Sequence, residues 1–153
     1  LNADAEGRLI LADALSYAGS RNPKLTIDVA TLTGAANVAV GEHAAVYFST
    51  AKPQESALLE KTSLQVWEPL VHFPLWNYYD EMIQSTMADI KNTGGSYAGA
   101  VSAAKFLQKF VSYPWFHIDI AGSAYFRTKW SYKGVGATGF GVRLLYTFLK
   151  NLA

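Results

Sequence analysis

From Leu9 to Ala18 apolar residues recur at helical spacing, and Gly19 with Asn22-Pro23 supplies a stop. The pattern predicts a helix over 9–18. The next segment alternates: Leu25, Ile27 and Val29 share one face of an extended chain, which predicts a strand over 24–30. Residues 35–40 read as a short helical segment and 44–49 as a second strand. Pro53 in a first-turn position, followed by Leu58, Leu59, Leu64, Val66 and Trp67, predicts a helix over 53–67. Residues 73–79 are aromatic and irregular, and 92–96 form a loop by composition. A helix over 98–111 opens with small residues suited to close packing; a strand of mixed faces over 115–121 and a closing helix over 140–152 complete the set. Strands and helices alternate, which argues for an α/β fold with helices on both sides of a sheet. In such sheets ligands bind beyond the carboxyl ends of strands, so Thr31-Leu32-Thr33-Gly34 is favoured as a site.

Composition narrows the function classes. The chain has 153 residues, half of them apolar, enough to bury the core of one domain or of a large piece of one. Thirteen basic residues against 12 acidic ones leave a net charge of +1, which makes no electrostatic case for nucleic acid or an anionic membrane. No apolar run reaches the roughly 18 residues that span a bilayer, and no signal pattern opens the chain, so a soluble protein is expected. With no cysteine, any metal must be held by oxygen or nitrogen, and a reducing compartment fits.

The chemistry concentrates at the front, in Asn2-Ala3-Asp4-Ala5-Glu6-Gly7-Arg8-Leu9. If this stretch is extended, Asp4 and Glu6 point to one side, where a hard or borderline cation would bind, and Arg8 follows them. The bland alternative is a helix start, with acids in the first turn answering free N–H groups, and Arg8 in a surface ion pair. Other patterns are weaker. Gly134-Val-Gly-Ala-Thr-Gly139 has the letters of a dinucleotide fingerprint, but no buried strand precedes it and the chain ends before the required acid. His117, Asp119 and Ser123 invite a triad, yet no nucleophile elbow is present, and a hydrogen-bonded structural histidine is the favoured reading. His43 and His72 are isolated. Trp67, Phe73, Trp76, Tyr78 and Tyr79 have no basic stripe beside them and are assigned to core or subunit interface.

The opening octapeptide resembles the N-T-D-A-E-G-R-L signature of the leucyl (cytosol) aminopeptidase family, with Ala3 in place of the usual Thr. Further blocks resemble the family in order: 28–35, Pro74-Leu75-Trp76, 88–95, 117–122 and 136–139. The resemblance covers essentially the whole chain. It implies a three-layer sandwich with a mixed β-sheet flanked by helices, of zinc-exopeptidase type, and a two-metal exopeptidase that uses zinc or manganese. By resemblance, Asp4 and Glu6 are metal ligands, Glu6 bridging the pair, and Arg8 holds a bicarbonate that acts as general base. Thr31, Leu32 and Gly34 line the substrate cleft, the Leu32 carbonyl accepts from the peptide substrate, and Ala121 borders the first side-chain pocket. Ala124, by its position, would widen that pocket. The resemblance further implies a homohexamer and a cytoplasmic location, with no nucleic acid or membrane partner. The remaining ligands and a catalytic lysine belong upstream of the signature in the family. Residues 1–153 are therefore expected to be the C-terminal portion of the catalytic domain, without the upstream strands and N-terminal domain, and inactive alone. The competing expectation is a non-catalytic fragment or pseudoenzyme module acting in assembly.

Overall fold

A computed structural model describes residues 4–152 of the chain. Its centre is a four-stranded sheet in the order β1-β4-β2-β3, formed by β1 (Thr26–Ala30), β4 (Trp115–Asp119), β2 (Ala45–Ser49) and β3 (Leu70–His72). β1 runs parallel to β4, β2 antiparallel to β4 and parallel to β3, so the sheet is mixed, as the resemblance implies. Five α-helices accompany it: α1 (Asp4–Gly19), α2 (Gly34–Val40), α3 (Pro53–Gln65), α4 (Gly99–Gln108) and α5 (Val142–Leu152).

The pleat of the strands decides which layer each residue joins. On β4, Trp115 packs with Ala12 and Leu15 of α1 and with Ala103, Phe106 and Leu107 of α4. Phe116 and Ile118, on the opposite face, join Leu59 of α3 and Leu144 and Phe148 of α5. β2 divides in the same way: Val46 and Phe48 meet α2 and α4, whereas Ala45 and Tyr47 meet the α3 and α5 side. Burial on both faces makes all five β4 residues inaccessible, which explains a strand whose apolar alternation is broken by His117 and Asp119. These two polar groups must then be paired inside the sheet.

Several elements depart from the periodicity reading. The first helix begins at Asp4, so Glu6 lies in its first turn and the extended geometry that would align Asp4 with Glu6 is not adopted. Positions two apart on a helix are rotated by about 200° from each other. α3 ends at Gln65, and Trp67 sits in the left-handed region with φ 56° and is 80% exposed, which takes it out of the helical stripe. β3 is only three residues long and lies between Pro69 and Pro74, too short a window for an alternation to register. A 3₁₀ helix, Asn77–Ile83, occupies the aromatic stretch, stacking Trp76 on Tyr79 while Trp76 and Tyr78 stay more than half exposed. The glycine pattern at 134–139 contains β6 (Gly136–Ala137), paired with β5 (Tyr125–Phe126) in a small hairpin; it does not connect a sheet strand to a helix as a dinucleotide loop does.

An ion-pair cluster ties the 3₁₀ helix to α4. The Asp80 carboxylate meets Lys109 Nζ at 2.7 Å and the buried Lys105 Nζ at 3.1 Å. The Lys109 hydrogen bond, and then Lys105 against the opposing cost of burial, hold the Asp80 carboxyl below its ordinary 3.8. A depressed carboxyl pKa contributes stability that is complete above the unfolded value and lost as pH falls through the folded one. Thermal denaturation of wild type and Asp80→Asn should therefore differ at neutral pH and converge below about pH 4; a constant gap down to acid pH would contradict the ion-pair assignment.

Candidate active site

The parallel strands β1 and β4 end at the same edge of the sheet, Ala30 beside Asp119, and the site is built just beyond them. Residues 31–33 turn from β1 into α2, with Thr33 as N-cap: its extended backbone lets Oγ1 accept from Ala36 N–H at 3.0 Å. The Thr33 hydroxyl in turn donates to Asp119 Oδ2 at 2.7 Å. Asp119 Oδ1 accepts from Leu32 N–H at 3.0 Å and from Ala121 N–H at 3.2 Å. The carboxylate is 1% exposed, and these three donors satisfy it.

Two residue pairs back along the same two strands, Asp28 faces His117. Asp28 Oδ1 accepts from His117 Nδ1–H at 2.6 Å, and Oδ2 accepts from Trp115 Nε1–H at 2.6 Å. The imidazole is fully buried and stacked against Phe48 and Trp115. Its Nε2 has no hydrogen-bond partner among the described residues, and neither has Ser123 Oγ. His117, Asp119 and Ser123 therefore make no triad; His117 belongs to Asp28, while Asp119 belongs to the loop. This is the structural histidine favoured by the sequence.

Arg8 reaches this edge from α1. It is 5% exposed, and its Nη1 donates to the Asn92 carbonyl at 2.6 Å, which holds the glycine-rich loop 92–95 against the helix. A recess of about 120 Å³ opens between them, lined by Arg8, Thr33, Gly34, Thr93, Gly94 and Ser102 among others. Gly94 has no alternative there, because a Cβ at this position would overlap the Ser102 side chain of α4. A guanidinium in a small polar hollow beside an N-capped helix suits a small oxyanion. On the other side of the same loop, Thr31 and Leu32 border an open, mainly apolar cleft of about 550 Å³ with Gly7, Ile10, Leu11, Val29 and Ile120.

The structure thus brings Arg8, Thr31, Leu32 and Gly34 around one loop, and connects Ala121 to that loop through Asp119. Glu6 is exposed on the first turn of α1, next to Gly7 of the apolar cleft, and the placement of the Asp4 side chain lies outside the described residues. Among the described residues no group of three His, Asp or Glu side chains converges as a metal site. The role of Asp28 was missed by periodicity, although an aspartate in the middle of an apolar strand already signals a buried partner. Glu68 was missed as well. It is 2% exposed and accepts from Gly141 N–H and Leu144 N–H, both at 3.0 Å, so that it caps α5.

Known proteins resemble this chain along nearly its whole length. The catalytic-domain profile of the cytosol aminopeptidase family matches residues 1–146. A probable cytosol aminopeptidase of Syntrophotalea carbinolica is 49% identical over 159 aligned residues, which cover 98% of this chain and 30% of that protein. One from Chlorobaculum tepidum is 51% identical over 97% of this chain and 30% of its own length. The chain therefore spans about 30% of the relatives it matches. Among solved structures, a mutant of tomato leucine aminopeptidase superposes with a TM-score of 0.89 at 38% identity, covering 98% of this chain and 29% of that one.

Proposed function

The chain belongs to the cytosol aminopeptidase family, and from that premise we propose that it is part of the catalytic domain of a metal-dependent aminopeptidase that releases leucine and other apolar N-terminal residues from peptides. The observation that carries the reading is the meeting of buried Arg8 with the Thr31–Gly34 loop, an anion recess and an apolar cleft sharing one wall. In this reading Thr31, Leu32 and Gly34 position the substrate backbone, Ala121 and Ala124 bound the space for its first side chain, and Arg8 holds bicarbonate in the recess. The recess fits that role in size, charge and polarity.

The metal pair, zinc or manganese, is a different matter. Asp4 and Glu6 are its proposed ligands, but two carboxylates are few for two divalent cations, and the described residues supply no convergent set of three. The described chain alone does not fit the pair; the full-length polypeptide is proposed to complete the ligand set. In the full-length polypeptide such ions would supply Lewis-acid chemistry, lowering the pKa of a coordinated water. Assembly as a homohexamer in the cytoplasm completes the proposal, and the exposed rings of Trp67, Trp76 and Tyr78 are available for subunit contacts. No helix among the described residues is long and apolar enough to cross a membrane.

The incomplete ligand set also supports a second reading, a non-catalytic module acting in assembly. Leucine-amide hydrolysis separates the two. The full-length polypeptide should cleave the amide and lose activity to a chelator, while the 153-residue chain should be inactive. Chelator-sensitive turnover by the short chain would overturn the incomplete-site reading, and an inert full-length protein would favour the module.

A further inference from the structure

We propose that Asp119 is a positioning residue for substrate selection, one carboxylate that sets the spacing between two parts of the cleft lining, Leu32 and the Ile120–Ala121 segment. The inference rests on the aminopeptidase reading and assigns a determinant of its side-chain preference. Three observations carry it. Asp119 is 1% exposed at the last residue of β4, a strand buried on both faces, so its own position is fixed by the sheet. Its Oδ1 alone accepts from both Leu32 N–H and Ala121 N–H, at 3.0 and 3.2 Å, although these residues are 89 positions apart and belong to different loops. Its Oδ2 accepts from the Thr33 hydroxyl at 2.7 Å, which couples the same anchor to the start of α2.

The backbone supports the span from both sides. Ile120 N–H donates to the Ala30 carbonyl at 2.9 Å, carrying the β1–β4 ladder one bond beyond Asp119. Gly122 then passes so close to the Gly41 carbonyl and the Asn37 side chain that a Cβ there would overlap the Gly41 oxygen. The Ala121 segment is thus held between β1 and the end of α2, and the Leu32–Thr33 segment is drawn toward it through the two oxygens of one carboxylate. Loss of that carboxylate frees the loop while leaving the strand in place. The distance between the two walls, which a substrate side chain must match, then ceases to be fixed.

The two obvious replacements differ in chemistry. In Asp119→Ala all three donors lose their acceptor. In Asp119→Asn the amide oxygen replaces Oδ1 and still accepts from Leu32 and Ala121, while its NH₂ faces a Thr33 hydroxyl that rotates to accept. Asn is isosteric with Asp, so its rescue would exclude a role for the negative charge, while a loss in Thr33→Val, isosteric with Thr, would exclude a purely volumetric one.

The test uses the full-length polypeptide, with leucine amide and alanine amide as paired substrates and hydrogen exchange over residues 28–36 as a readout independent of turnover. Asp119→Ala should lower kcat/KM for leucine amide about 100-fold, the scale of a 1 Å misplacement, and shrink the leucine-over-alanine preference at least fivefold. Exchange over 28–36 should become faster. Asp119→Asn should recover most of both losses, and Thr33→Val, which removes only the Oδ2 contact and the cap, should fall between them. If Asp119→Ala fails to fold, the Asn and Val variants decide by the same ratio. Parallel loss on both amides, with the preference unchanged, would show a merely structural residue and overturn the proposal, as would unchanged exchange. A wild-type protein inert toward both amides would instead sink the aminopeptidase reading and the selection role with it, while faster exchange in the variants would still report the anchor.

Discussion

Replacing Arg8 by alanine in the full-length polypeptide should lower kcat for leucine amide by about 100- to 1,000-fold, the range for losing a proton-transfer partner or one fixed electrostatic contact. KM should change much less. Arg8 is buried, so its charge is not dispersed by solvent, and it borders a recess with the capped Thr33–Ala35 segment, the glycine-rich loop and Ser102. Its Nη1 donates to the Asn92 carbonyl, which anchors the guanidinium beside the hollow. Arg8→Lys keeps the charge but loses the planar fork, and should recover only part of the rate. Wild-type turnover should rise with added bicarbonate and that of Arg8→Ala should not. Steady-state kinetics across a bicarbonate series would check both statements, and an Arg8→Ala enzyme with normal kcat would remove the anion site from the proposal.

The largest stability effect is expected at Glu68. Glu68→Ala should destabilise the protein by about 3 kcal/mol, because a buried acceptor of charge-assisted hydrogen bonds disappears and two amides at the start of α5 lose their partner. The helix N-terminus also loses the negative charge that complements its dipole. Most of this loss belongs to the cap rather than the Arg143 ion pair, since Arg143 is about half exposed at 3.1 Å from Glu68. Arg143→Ala should therefore cost less than about 1 kcal/mol. Glu68→Gln, which retains one oxygen for the amides, should cost roughly 1 kcal/mol. Urea denaturation of the three variants would test the ranking; equal losses in Glu68→Ala and Arg143→Ala would assign the energy to the ion pair.

Much of this architecture was legible from periodicity. The two-sided burial of β4 and the long helical stripes of α1, α4 and α5 leave strong patterns, and the parallel β1 with its ligand-side loop could be placed from alternation alone. Short or doubly constrained segments were not. β3 has three residues between prolines, and the 3₁₀ helix at 77–83 carries a period that a search tuned to 3.6 does not register. The candidate site divides in the same manner. Arg8 was visible as a cation beside paired acids, and the Thr31–Gly34 loop by its place at the carboxyl end of a predicted strand. Asp119, Asp28 and Glu68 act through partners between 73 and 89 positions away, so only the folded sheet reveals what each of them holds. The front of the chain shows the reverse problem. Two conformations were open to the acid pair there, an extended segment and a helix start, and the second is the one adopted.

The strand order has a consequence for the route by which this molecule acquires its shape. β4 is the last of the four sheet strands in sequence, yet it lies between β1 and β2, which precede it by 66 residues or more. A ribosome releases β1, β2 and β3 with a gap where β4 belongs. Pairing such as Thr26 with Trp115 closes a loop of nearly 90 residues, a contact of high order that slows folding. Insertion of β4 therefore joins β1 to β2 and, in the same event, delivers Asp119 to the loop after β1, so the nascent chain gains this edge of the candidate site only when the four strands come together.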